Sequence, residues 1–357
     1  MKPTQELHEL GQSLWLDYIS RTILDDGTLA GYIEDLSLTG LTSNPTIFDK
    51  AIGSGSAYDE QIAELRERGL EGEDLFFELA LTDLKRAAKL FEPVNTRTDD
   101  VDGWVSLEVS PLLADDTEAT IAQARDLHEK AEDSNVFIKI PGTEAGHGAI
   151  AESIFAGIPI NVTLLFSTDD YLRAADAFMD GIERRIKAGL DPSVPSVASL
   201  FISRWDVAVA DEAPDELRNR LGIAVGKQTY RAYRELMESD RWQRLENEGA
   251  RTQRLLWAST GTKDPDASDV LYIEAFASPQ TVNTMPENTL LAFADHGRVG
   301  EPLDPDGGDS AEVLAQFKDA GIDTDALATR LQKEGAETFV KSWRELLGTI
   351  AEQRELV

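Results

Sequence analysis

Eight short runs of apolar and β-branched residues punctuate the sequence, at 14–19, 36–41, 104–109, 136–140, 158–164, 196–202, 254–259 and 281–285. Between most of them lie longer stretches with the apolar period of amphipathic helices, among them 74–91, 116–132, 169–188 and 219–238. Strands alternating with crossover helices run parallel to one another. Eight such units in one chain predict a (β/α)8 barrel, a sheet closed on itself inside a ring of helices. The rival, a doubly wound open sheet, normally carries a glycine-rich phosphate turn after its first strand. No such fingerprint follows residue 19.

The expectation is therefore α/β: a single TIM barrel domain over 1–357, with extra N-terminal and C-terminal helices. Residues 296–312, HGRVGEPLDPDGGDSAE, read as a connector, and 313–357 as a C-terminal helical extension packed on the barrel. Within 323–350, Leu327, Leu331, Phe339, Trp343 and Leu347 recur at helical spacing, a packing stripe.

Composition removes several classes of function. With 66 acidic against 34 basic residues the formal net charge is -32, spread along the chain as solvated faces, not gathered in a tail. Phosphate backbones and anionic lipid surfaces repel such a chain, so neither nucleic acid nor membrane is an expected partner. The absence of cysteine excludes disulfides, thiol nucleophiles and thiolate metal sites. The opening residues, MKPTQELHELGQSLW, have no apolar stretch behind Lys2 and do not read as a secretory signal. No run approaches about 18 apolar residues, so a cytoplasmic location is expected.

The functional signal is polarity in the wrong place. Parallel strands buried on both faces should be almost continuously apolar. Here the first carries Asp17, the third Ser106 and Glu108, the fourth Lys139, and the fifth Asn161 and Thr163. Period-two alternation sets Ser106 and Glu108 on one face, opposite Val105, Leu107 and Val109. Asn161 and Thr163 likewise oppose Ile160, Val162 and Leu164, and Lys139 opposes Ile138 and Ile140. The polar set thus converges on the barrel interior near the C-terminal strand ends, where barrel active sites lie. Buried charges persist only if they pair or do chemistry. One outcome is an ion-paired plug of Lys139 with Asp17 and Glu108. The other is catalysis: an amine in a dry site attacks a carbonyl to form a Schiff base, and two carboxyls carry the protons. Neither metal nor cofactor is needed, and His8, His128, His147 and His296 lie outside these strands.

The blocks LTSNPTIF (41–48), VSLEVSP (105–111), VFIKIPGTEAG (136–146), INVTLLFS (160–167) and LLWASTGTK (255–263) resemble, in order, the signature segments of the transaldolase family. The resemblance is to its longer bacterial subfamily, also found fused to phosphoglucose isomerase; no such partner domain is expected within these residues. It implies transfer of a dihydroxyacetone unit from sedoheptulose 7-phosphate to glyceraldehyde 3-phosphate. The products are erythrose 4-phosphate and fructose 6-phosphate, in the non-oxidative pentose phosphate pathway. By matched motif, Lys139 is the imine-forming nucleophile, Asp17 the acid/base at the donor's C4 hydroxyl, and Glu108 and Thr163 the holders of a proton-relaying water. The same match gives Asn44 and Asn161 the dihydroxyacetone hydroxyls, Ser199 a place beside the imine carbon, and Phe201 the pocket wall. The resemblance also implies that Arg204, in SLFISRWD (199–206), grips the substrate phosphate with Ser259. Where shorter members of the family carry an arginine after the seventh strand, this chain offers Lys263, a point charge in place of a planar fork. The family contains monomers and homodimers. The alternatives are a class I fructose 6-phosphate aldolase on the same scaffold and a non-catalytic acidic scaffold with a salt-bridged lysine.

Overall fold

The computed structural model of the chain describes residues 1–132 and 135–352. Strands β1 (Ser13–Leu16), β2 (Leu38–Leu41), β3 (Trp104–Glu108), β4 (Val136–Pro141), β5 (Ile160–Leu165), β6 (Ser196–Phe201), β7 (Gln253–Ala258) and β8 (Val282–Met285) pair in sequence order. All are parallel, and β1 pairs with β8 to close the barrel. Each of the eight runs read from the sequence is a strand.

The strand ends differ from expectation for local reasons. β2 starts only at Leu38 because Ser37 sits in the left-handed region (φ 55), and β7 stops at Ala258 because Ser259 does the same (φ 56). β1 ends at Leu16, so Asp17 is the first residue beyond the strand, although its N–H still bonds to Met285 O at 2.8 Å. A larger correction falls in β5. Leu164 has φ 58, and the pairing with β6 jumps from Val162 to Leu165. The extra residue inverts the alternation. Leu165 joins Ile160 and Val162 in the layer between sheet and helices, whereas Leu164 joins the inner cluster with Phe166, Phe201 and Phe339.

Several helices begin where short polar side chains satisfy the first free N–H groups. Asp116 accepts from Ala119 N to start Thr117–Ala131, and Ser167 and Asp170 form a reciprocal box at Thr168–Lys187. The helical pattern at 74–91 extends over Gly72–Arg97, and that at 219–238 becomes Leu221–Met237. Helix Glu287–His296 is followed by residues 297–309, without regular structure, and then by helix Ser310–Asp319. Residues 353–357 of the expected extension lie outside the described residues.

The lower half of the barrel is filled by aromatic rings. Trp104 stacks on Phe137 with centroids 4.3 Å apart, and Trp15 lies 6.0 Å from Phe137. Beneath them Asp102 accepts from Trp15 Nε1 at 2.9 Å and from Ser13 Oγ, and Arg254 stands 3.6 Å from its carboxylate. Gly40 is what lets Trp15 lie flat inside: a Cβ there would come within 2.6 Å of both Trp15 Nε1 and Trp104 O. Gly40→Ala is therefore expected to destabilise by about 1–3 kcal/mol, as overpacking does. The check is a lower urea midpoint at unchanged slope.

The last described helix, Thr324–Glu352, runs unbroken for 29 residues. Gln332 Nε2 donates to Gly142 O and Leu164 O, each at 3.1 Å, which ties the helix to the ends of β4 and β5. Farther along, Thr46 bonds to Ser342 at 2.8 Å, Trp343 Nε1 to Glu73 at 2.8 Å, and Thr349 to Asp49 at 2.7 Å. No described helix is long and apolar enough to cross a membrane.

Candidate active site

Sheet register places the central charge. Glu108 pairs with Lys139 across β3 and β4, and Lys139 with Asn161 across β4 and β5, so the lysine stands between them on the inner face. Lys139 and Glu108 are each only 5% exposed, and Lys139 Nζ lies 3.3 Å from Glu108 Oε2. The ammonium also donates to Ser43 O at 3.1 Å, and Ser43 is fixed by its own hydroxyl on Ser106 O at 2.7 Å. Asn161 donates to Ser106 Oγ at 3.2 Å and accepts from Ser199 Oγ at 2.7 Å. The Thr163 hydroxyl is buried and has no hydrogen-bond partner among the described residues.

Asp17 approaches from the other side. Thr42 Oγ1 donates to Asp17 Oδ1 at 2.8 Å and lies 2.7 Å from Thr284 Oγ1. Asn44 is both a cap and a cavity residue. Its Oδ1 accepts from Ile47 N at 3.1 Å to start helix Pro45–Gly53, which leaves its amide N–H groups for the cavity.

A cavity of about 100 Å³ gathers Asp17, Asn44, Lys139, Thr163, Ser199, Phe201, Arg204 and Ser259. Glu108 and Asn161 stand directly behind its wall, in contact with Lys139 and Ser199. Lys263 does not join them. It is exposed and lines a separate cavity with Asp206, Arg218 and Asp264, because the loop after β7 carries it past the mouth. Its charge still reaches Asp17 and favours the ionised carboxylate.

Burial pushes the Asp17 carboxyl above its ordinary range, and Lys139 and the Thr42 bond pull it partly back. Glu108 is also pushed up by burial, opposed by Lys139 and reinforced by the Asp17 charge. One ammonium thus stands between two carboxyls whose pKa values burial raises, an arrangement suited to groups that give and take protons.

Arg204 sits in the short helix Ser203–Ala208 after β6. That helix is held by Asp206, whose carboxylate accepts from Leu221 N, Gly222 N and, at 2.8 Å, Tyr272 Oη; burial raises it to about 6. Burial lowers the Arg204 pKa, against the charges of Glu108 and Glu334. Ser259 Oγ shares a 2.9 Å hydrogen bond with Ser203 Oγ. The sequence reading missed Thr42, Thr284 and Phe339, which also line the cavity. Thr284 carried the usable signal, a polar residue in a buried strand, and Thr42 lay inside a quoted block. Phe339 showed only a packing stripe. Among the described residues no group of three or more His, Asp or Glu is placed to hold a metal ion.

A closed parallel barrel with an amine, two carboxyls and amide donors at its C-terminal mouth defines the class of barrel enzymes whose nucleophile is a lysine. Within that class the chain belongs to the transaldolase/fructose-6-phosphate aldolase family, whose sequence model matches residues 14–350. It is 43% identical over 361 residues to the transaldolase of Parafrankia sp. (strain EAN1pec), spanning 99% of this chain and 98% of that one. To the transaldolase of Thermobifida fusca (strain YX) it is 44% identical over 360 residues, 98% of each chain. Identity to transaldolase 2 of Nostoc sp. (strain PCC 7120) is 38% over 364 residues, spanning 97% of this chain and 96% of the relative.

Proposed function

We propose that the protein is a transaldolase of the non-oxidative pentose phosphate pathway, working in the cytoplasm on phosphorylated sugars. It moves a dihydroxyacetone unit from sedoheptulose 7-phosphate to glyceraldehyde 3-phosphate, giving erythrose 4-phosphate and fructose 6-phosphate. The observation that carries this reading is Lys139: a buried amine at a barrel mouth, 3.3 Å from one carboxyl and across a small cavity from another.

Lys139 Nζ, having passed a proton to the Glu108 carboxylate 3.3 Å away, attacks the donor's carbonyl carbon, and the resulting carbinolamine loses its hydroxyl as water to give the iminium. Glu108, beside the amine, and the free hydroxyl of Thr163 hold a second water that relays a proton to that hydroxyl as it departs. Asp17 then takes the C4 hydroxyl proton as the C3–C4 bond breaks, and the electron pair of that bond flows into the iminium. The aldehyde leaves, and the bound three-carbon enamine adds to the incoming aldehyde by the reverse of the same steps. Asn44 and Asn161 hold the hydroxyls of the three-carbon unit, Ser199 stands beside the imine carbon, and Phe201 walls the pocket. Arg204 and Ser259 receive the phosphate, with Lys263 a more distant contributor. In this reading 1–357 works as one domain, supported by the presence of Phe339, from the C-terminal helix, in the cavity wall.

Two measurements test the reading. Borohydride reduction in the presence of fructose 6-phosphate is expected to place a stable adduct on Lys139; an adduct elsewhere, or none, overturns it. Adding erythrose 4-phosphate is expected to suppress release of free dihydroxyacetone. If dihydroxyacetone accumulates equally with and without the acceptor, the enzyme is the fructose 6-phosphate aldolase instead.

A further inference from the structure

The Arg204 guanidinium is held by rings. Its central carbon lies 5.2 Å from the centroid of Phe201 and 5.9 Å from that of Phe339, and among the described residues it makes no hydrogen bond or ion pair. The difference matters chemically. A carboxylate partner would occupy the N–H donors of the guanidinium fork, whereas a ring engages its face and leaves the donors at its edge free.

One of the two rings comes from the C-terminal helix, and so does the surface behind it. Gln332, Gly335 and Phe339 follow one another along a single face of helix Thr324–Glu352. Gln332 clamps that face to the carbonyls of Gly142 and Leu164. At Gly335 a Cβ would lie 3.2 Å from Arg204 Nη1 and 3.1 Å from Leu164 Cδ2, so the helix backbone passes directly behind the guanidinium. Phe339 then reaches the cavity that holds Lys139. The exposed carboxylate of Glu334, beside this face, contributes a negative charge that Arg204 feels.

We propose that this face of the C-terminal helix positions Arg204, and thereby sets how strongly the enzyme prefers phosphorylated sugars over unphosphorylated ones. Phe339 aims the fork into the cavity, Gly335 gives it room, and Glu334 weakens the local attraction for an anion. The proposal rests on the reading of Arg204 as the phosphate-binding residue.

The test compares KM for fructose 6-phosphate with the concentration of unphosphorylated dihydroxyacetone that half-saturates borohydride trapping on Lys139. Phe339→Leu keeps an apolar side chain, somewhat smaller, and removes the ring; it is expected to raise the KM by about 3- to 30-fold, the range of a partly to fully desolvated cation–π contact. The trapping concentration is expected to shift far less, and Phe339→Tyr, which keeps the ring, to restore the KM. Glu334→Gln, an exposed change, is expected to lower the KM, with the gain shrinking as salt is added. A helix that only packs on the barrel would not produce changes of opposite sign at neighbouring turns. The proposal is overturned if Phe339→Leu leaves the KM ratio unchanged, or if Glu334→Gln raises it, while Arg204→Ala raises it strongly. If Arg204→Ala itself leaves the fructose 6-phosphate KM unchanged, the phosphate reading falls and the proposal with it.

Discussion

Lys139→Ala is expected to lower turnover by about 10⁶-fold, the scale seen when an enzyme loses its nucleophile, and to abolish borohydride trapping. The same substitution has a second, independent signature in stability. Lys139 is the largest influence holding down the pKa values of Asp17 and Glu108, both of which burial pushes up. Without the ammonium both rise further. A carboxyl with a folded pKa above its unfolded value, about 4, gives stability that is complete below the unfolded pKa and is lost as pH rises through the folded one. The variant should therefore lose more stability relative to the parent at pH 8 than at pH 5. Urea midpoints at the two pH values check this, and a gap that narrows toward alkaline pH would mean that the carboxyls do not feel the lysine.

Asp17→Asn is the second large effect. The amide oxygen can still accept from Thr42, which lies 2.8 Å from the carboxylate in the parent, so the geometry survives while the base is lost. Carbon–carbon cleavage is expected to slow by about 10²–10⁴-fold, the contribution of a positioned general acid or base. On the proposed mechanism imine formation does not use this group, so borohydride should still trap fructose 6-phosphate on Lys139, now with its six carbons intact. By the same mechanism, cleavage in the parent requires ionised Asp17, and its raised pKa should place the acid limb of the rate profile above the ordinary carboxyl range. The asparagine variant should lose that limb. A variant that cleaves at the parental rate would remove Asp17 from the mechanism.

Much of the site was legible because a barrel strand is apolar on both faces. Against that background Lys139, Glu108, Asn161 and Thr163 stand out, and period-two alternation assigns them one side without further knowledge. That logic holds only while the backbone stays extended. At Leu164 a left-handed residue inverts the faces, and no local residue preference marks the inversion, since leucine is a poor candidate for positive φ. Loops are less readable still. Lys263 is close in sequence to the end of β7, but the path of the loop decides which cavity it meets. Phe339 shows the complementary gap: spacing identifies the buried face of a helix, not what that face covers.

The aromatic floor made by Trp15, Trp104 and Phe137, with Asp102 and Arg254 beneath it, turns the barrel from a tube into a cup. A cup has one rim. Through that rim the donor sugar enters, the first aldehyde departs, the second aldehyde arrives and the new ketose leaves. On the proposed mechanism the three-carbon unit stays bonded to Lys139 at the foot of that rim while one aldehyde is exchanged for the other. The order of traffic then follows from the architecture. The first product must clear the doorway before the acceptor enters, so initial-rate plots at different acceptor concentrations should be parallel lines. An excess of either aldehyde should compete with the donor for the same threshold.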